Sequence, residues 1–205
     1  TFDKDGNRIE LNFDTCYPMV EGEDEQSPVR IGRVREDTCP HCGGHMVDML
    51  VLDGRDERMK FLGIDGILTA VCCPNCVGFL QGPAFNSFTL DGRAEVFPSK
   101  LFDGEETTDC YVRPEDYKAL AENKYILGKA PVPLFYGACS EDVNTVGGFA
   151  NWVQDAEYTT CPRCGKPMKY LAQIQWDTVM DGTEGTLYIE LCPECHVVSM
   201  QHQQT

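Results

Sequence analysis

The sequence predicts a mainly β (α+β) fold made of two pseudo-repeated β units, each carrying a zinc-ribbon knuckle pair, with one connector helix between them. Three observations predict it. Four Cys-Pro-x-Cys turns pair at similar spacing, Cys39/Cys42 with Cys73/Cys76 and Cys161/Cys164 with Cys192/Cys195. Flanking residues match between the halves. Short β-branched and aromatic runs alternate with Gly and Asp turns, the texture of strands and hairpins.

A Cys-x-x-Cys turn aims two sulfurs at one tetrahedral centre, about 2.3 Å from each, and a second turn closes the four-coordinate shell. Gly43 and Gly165 follow the first knuckles, where the backbone doubles back and tolerance of positive φ is needed. One isolated pair reads equally as a redox dithiol, whereas two matched sets point to metal. The cofactor expected is therefore zinc, two structural ions. Cys72 abuts Cys73 and competes with it as a ligand, although the Cys-Pro-x-Cys register prefers Cys73.

The internal match runs beyond the ligands. Thr38-Cys-Pro-His-Cys-Gly-Gly-His-Met46 aligns with Thr160-Cys-Pro-Arg-Cys-Gly-Lys-Pro-Met168. Gly63–Leu68 aligns with Gly182–Leu187, and Leu11–Cys16 with Leu134–Cys139. Two copies make a pseudo-symmetric pair rather than a solenoid. The units expected are 1–97, a first zinc-ribbon β repeat; 98–133, a connector; and 134–205, a second zinc-ribbon β repeat.

Taken in order, Phe2 to Phe13 reads as a hairpin around Asp5-Gly6, and Glu21 to Pro28 as an acidic surface loop. Met49–Leu52 and Ile67–Val71 are the strands between the first knuckles. Phe85 to Phe97 is a hairpin turning at Asp91-Gly92. Pro114 opens a helix running to about Asn123, with proline and acids in its first turn. Lys129-Ala-Pro-Val-Pro133 resets the chain, and Tyr170–Ile174 and Leu187–Leu191 repeat the ribbon strands.

A family resemblance is carried by the second unit. Val146-Gly-Gly-Phe-Ala-Asn-Trp152-Val-Gln154 precedes Cys161-Pro-Arg-Cys-Gly-Lys-Pro-Met168-Lys-Tyr-Leu171-Ala-Gln173, then Gly185-Thr-Leu-Tyr188 and Cys192. Over residues 146–195 this resembles the programmed cell death protein two C-terminal-like family and the bacterial YwqG-like proteins, with Ala150 standing where the family usually has proline. The resemblance implies a protein-binding role, since the eukaryotic members are dedicated chaperones of a basic ribosomal protein. Trp152 and Gln154 then have two readings. One makes them an exposed anchor for a partner. In the other, Trp152 caps the core and Gln154 bonds backbone at a strand edge.

Charge narrows the partner. The formal net charge is −16, and no lysine or arginine follows Lys169. Two divalent ions, each in a shell of four thiolates, lower it to about −20. That sign opposes direct binding of nucleic acid and suits a basic protein partner, as it also suits simple solubility. No apolar run approaches the ~18 residues that a membrane span needs, and no charged-then-apolar leader opens the chain. The first residue, Thr1, leaves room for an upstream segment. A cytoplasmic, reducing setting is expected from paired knuckles accompanied by unpatterned Cys16, Cys72, Cys110 and Cys139.

Catalysis is not expected. Cys16 and Cys139 occupy matching repeat positions and read as buried packing; His41 and His45, without counterparts in the second unit, read as surface residues. The function expected is a zinc-stabilised protein-binding module: a chaperone, adaptor or immunity-type partner. The alternatives are a rubredoxin-like carrier with iron in the same sulfur shells, or an enzyme using Cys16, Cys110 or Cys139 as nucleophile.

Overall fold

The computed structural model describes residues 10–140 and 143–205. In the first half the apolar runs become β1 (Phe13–Glu21), β2 (Val29–Arg30), β3 (Arg33–Thr38), β4 (His45–Asp53), β5 (Ile67–Cys72), β6 (Ala84–Phe88) and β7 (Ala94–Val96). The connector holds α1 (Pro114–Glu122) and β8 (Tyr125–Leu127). The second half supplies the short α2 (Tyr136–Cys139), then β9 (Asn144–Gly148), β10 (Lys169–Gln175), β11 (Thr186–Cys192) and β12 (Val197–Gln203). The fold is mainly β, as expected. The hairpin expected at Phe2–Phe13 lies largely outside the described residues; Phe13 opens β1.

The strands form two sheets. One is eight-stranded, in the order β7-β6-β12-β11-β10-β9-β1-β8, with every strand pair antiparallel. The other is four-stranded and centred on β4, which pairs with β2 and β3 and also with β5. β11 is buried at every residue and sits inside its sheet, between β10 and β12, rather than at an edge.

Element order recurs on both sides of the connector. β4, a 3-10 turn (Glu57–Leu62), β5, a knuckle and β6 are answered by β10, a 3-10 turn (Trp176–Thr178), β11, a knuckle and β12. The details recur as well. The β4–β5 register slips between Asp48 and Leu50, and the β10–β11 register between Tyr170 and Ala172, at matching positions. A bulge of this kind bends its strand and raises local twist. After the bulged strand, Gly54 N–H donates to Gly66 C=O at 2.8 Å, and Trp176 N–H donates to Gly185 C=O at 3.0 Å. Gly185 sits at φ +87°, and a Cβ there would lie 2.4 Å from the Gln203 carbonyl oxygen. The loop therefore closes only on glycine.

One recurrence fails, and the failure joins the halves. β11 pairs with β12 along seven residues, whereas β5 makes no ladder with β6. Asn86 of β6 instead reaches across with its side chain, accepting from Val71 N–H at 2.9 Å and donating to Thr69 C=O at 2.8 Å. The β6 backbone is thereby freed to pair with β12, Val197 opposite Ser87 through Met200 opposite Ala84. Strands from the 1–97 and 134–205 segments thus share one sheet. A second departure is at Leu134–Cys139, which forms a turn and α2, while the matching Leu11–Cys16 leads into β1.

The principal core spans both sheets, with Leu50, Leu52, Leu68, Leu171, Ile174, Leu187 and Ile189 fully buried. Two smaller apolar clusters sit over the cysteines: Met46, Val71 and Leu101 with Cys39, Cys73 and Cys76, and Met168 and Val197 with Cys161 and Cys192. The connector helix appears over Pro114–Glu122, and the Asp116 carboxylate accepts from the Arg113 N–H at 2.8 Å, satisfying a backbone donor that the helix start leaves open. Among the described residues, no helix is long and apolar enough to cross a membrane.

Candidate metal centres

The first knuckle of the first unit is the loop between β3 and β4, and that of the second unit is a turn closed by a Thr160–Pro167 bridge just ahead of β10. The Cys39 N–H donates to Gly44 C=O at 2.7 Å and Gly43 N–H to Cys39 C=O at 2.9 Å; in the second unit Cys161 N–H donates to Lys166 C=O and Gly165 N–H to Cys161 C=O, both at 2.9 Å. Both glycines adopt φ +72°, the left-handed turn their sequence position predicts. In the first unit the turn also aims backbone donors at the sulfurs: His41 N–H lies 3.4 Å from Cys39 Sγ, and Gly44 N–H 3.4 Å from Cys42 Sγ.

The second knuckles bring the remaining thiols in from the ends of β5 and β11. Cys39, Cys42, Cys73 and Cys76 form one group and Cys161, Cys164, Cys192 and Cys195 another, the four sulfurs of each lying within 4.8 Å of one another. Sulfur–sulfur separations are 3.8 Å for Cys39–Cys76, 3.5 Å for Cys42–Cys73 and 3.7 Å for Cys164–Cys192. Sulfurs about 2.3 Å from a tetrahedral ion stand about 3.8 Å apart. The donor set and spacing fit a metal ion in both groups.

Charge supports the same reading. In the first group the Cys39 thiol is driven far below its ordinary range by hydrogen bonding with Cys73 and then Cys76, while Cys73 is driven far above by hydrogen bonding with Cys39 and then Cys76. Hydrogen bonding to Cys39 pushes Cys76 up to about 12, and burial raises Cys42. In the second group burial pushes Cys192 up to about 12 and raises Cys195, while the Lys166 N–H lowers Cys164. Thiols this close share few thiolates by themselves; a divalent cation lets all four ionise.

Cys72 is fully buried beside the first group and stays outside it, its thiol raised by burial. Cys16 is likewise buried, and desolvation pushes it up to about 11. Cys139, expected to be buried in the same way, is exposed, because its segment is α2 rather than a strand. His41 corrects a second expectation. It is buried, with Nδ1 2.9 Å from the Glu106 carbonyl oxygen and Nε2 3.1 Å from Ser99 Oγ. The sequence gives no sign of this, since the partners lie more than fifty residues away in the connector. His45 is exposed, as expected.

Trp152 and Gln154 lie in the segment between β9 and β10. The Trp152 ring sits 4.4 Å from that of Tyr188 and edge-on to Tyr158 and Tyr170. Gln154 is exposed and donates from Nε2 to Gln204 C=O at 2.7 Å. Gln173 pins the approach to this cluster, accepting from Asn151 N–H at 2.9 Å and donating to Val143 C=O at 3.0 Å. Tyr188 accepts from Val153 N–H at 2.9 Å and donates to Asn151 C=O.

Two buried acids were not foreseen. Asp48, in β4, is closed by Arg33 at 2.5 Å and Arg35 at 3.2 Å. Glu190, in β11, accepts through Oε2 from Thr159 N–H at 2.8 Å and Ser199 Oγ at 3.2 Å, while Oε1 has no partner; burial pushes its carboxyl up to about 7.

The chain is 26% identical over 209 residues to the uncharacterized protein YpfL of Salmonella typhimurium, an alignment covering 98% of this chain and 47% of that protein. It therefore spans about half the length of that relative. No protein-family model matches the chain, and no solved structure matches it.

Proposed function

We propose that this chain is a zinc-stabilised protein-binding module, each four-cysteine group holding one structural zinc ion. The observation that carries the reading is the closed shell: four thiols at tetrahedral spacing leave no position for water or substrate. Eight of twelve cysteines are thus used for structure. Function then falls to the surface. That surface is acidic, with net charge −16, and it exposes large aromatic groups, Phe79 at 56% and Phe102 at 66%, joined by a Phe102 N–H to Phe79 C=O bond of 2.6 Å. Asp103, Glu105 and Glu106 follow Phe102 in sequence. An apolar pair with an acidic rim suits a partner carrying basic and apolar residues together. The likeness of residues 146–195 to chaperones of a basic protein supports the same class of partner: a chaperone, adaptor or immunity-type role.

The test is capture of partners by zinc-replete protein at low and high salt, beside a Phe79→Ser/Phe102→Ser double variant. The expected result is a retained protein released by salt and lost in the variant. A strictly monomeric protein that retains nothing would contradict the reading.

One observation favours a second reading. Backbone N–H groups directed at Cys39 and Cys42 sulfurs also suit iron in an electron carrier, where such bonds tune potential. Colour and metal content separate the two.

A further inference from the structure

The two cysteine groups are alike in sulfur geometry and unlike in cover. Over the first lies the connector. The third residue of each knuckle, His41 and Asn75, reaches up to hold it. His41 bonds Ser99 and Glu106, and its own carbonyl accepts from Thr108 N–H at 3.0 Å. Asn75 donates to Asp109 C=O at 3.0 Å and accepts from Tyr111 N–H at 2.8 Å. Three of the four first-group cysteines are buried and Cys42 is half-buried.

The equivalent residues of the second group hold nothing comparable. Arg163 turns back onto its own site, donating to Cys195 C=O at 3.0 Å with its guanidinium over Phe97. Glu194 pairs with Lys166 at 2.7 Å. Cys164 is exposed and Cys195 half-buried.

We propose that the second group is the molecule's oxidant-sensitive site, with Cys164 taking up a peroxide and Cys192 resolving it. This rests on the metal-holding reading above. Access favours attack by the Cys164 sulfur, the one exposed ligand of its group. Its sulfur attacks one peroxide oxygen, the O–O bond breaks, hydroxide leaves and a sulfenic acid remains. The Cys192 sulfur, 3.7 Å away, then attacks that sulfur and expels a second hydroxide. One disulfide forms, the two thiolates together lose two electrons, and hydrogen peroxide is reduced to two hydroxides, which take up protons to become water. The pair no longer ligates, so the second group releases its ion while the first, under the connector, keeps its own.

The experiment treats zinc-loaded protein with hydrogen peroxide, follows zinc release with a chromogenic chelator, and maps disulfides by mass spectrometry. Metal content measured before oxidant is added separates failure of the metal reading from failure of this one. The expected result is one equivalent released at least about tenfold faster than the second, with a Cys164–Cys192 disulfide, on the exposure dependence of thiol reactivity. Ser99→Ala, which removes a single hydrogen bond to His41, and His41→Ala should raise the slower rate and leave the faster one unchanged. Both equivalents leaving at one rate, or the first group oxidising first, would overturn the proposal.

Discussion

Cys42 Sγ stands 3.5 Å from Cys73 Sγ, although the two residues are 31 apart in sequence. The contact closes a loop containing β4, the 3-10 turn and β5, and the second group closes the equivalent loop through Cys164 and Cys192. Binding free energy at a structural zinc site, of order 10–16 kcal/mol, exceeds the ~5–15 kcal/mol net stability of a typical domain.

Cys42→Ser should therefore abolish metal at the first group and unfold β4 and β5, as should a strong chelator for both groups. Circular dichroism with metal analysis checks it. Unchanged melting with one equivalent lost would show that the loop holds without its ion.

Asn86→Ala tests the side-chain bridge between β5 and β6. It removes two hydrogen bonds and strands the Val71 N–H and the Thr69 C=O, both on fully buried residues. The expected cost is about 2–4 kcal/mol, read by denaturant unfolding with zinc present.

Glu190 makes stability fall as pH rises. Its folded carboxyl titrates near 7, against an ordinary value of 4.5. Between those values the folded state binds more protons than the unfolded state, so this group's contribution to stability is fully present below about 4.5 and is lost progressively up to about 7. The loss attributable to this group is about 3 kcal/mol. Glu190→Gln should flatten that interval when its pH profile is subtracted from that of the parent under equal zinc. Parallel profiles would contradict the assignment.

Trp152→Ala should lower stability by about 3 kcal/mol through loss of its aromatic neighbours, and Trp152→Phe by less than about 1.5 kcal/mol. Thermal melting compares the two. An alanine variant as stable as the parent would mean that the ring contributes little to the Tyr188 cluster.

How much of this was legible in the sequence differs by element. The Cys-Pro-x-Cys spacing is local chemistry, and the structure gathers all eight of those cysteines into the two expected groups. The ribbon strands and the helix at Pro114 were legible because periodicity and capping are also local. β12 was missed: Val197–Gln203 mixes buried Ser199, Gln201 and Gln203 among its apolar residues, and their burial depends on partners such as Glu190 on β11. The Asn86 bridge and the His41 cover were invisible for a related reason. Each depends on a side chain meeting a distant segment, and residue type alone says nothing of that. The sequence match of Cys16 with Cys139 misled because similar residues entered a strand in one half and a helix in the other.

Native mass spectrometry with elemental analysis of the purified chain tests the metal assignment. The expected result is a colourless protein carrying two zinc ions, both lost on denaturation. A coloured protein containing iron, or one folded with no metal bound, would contradict it.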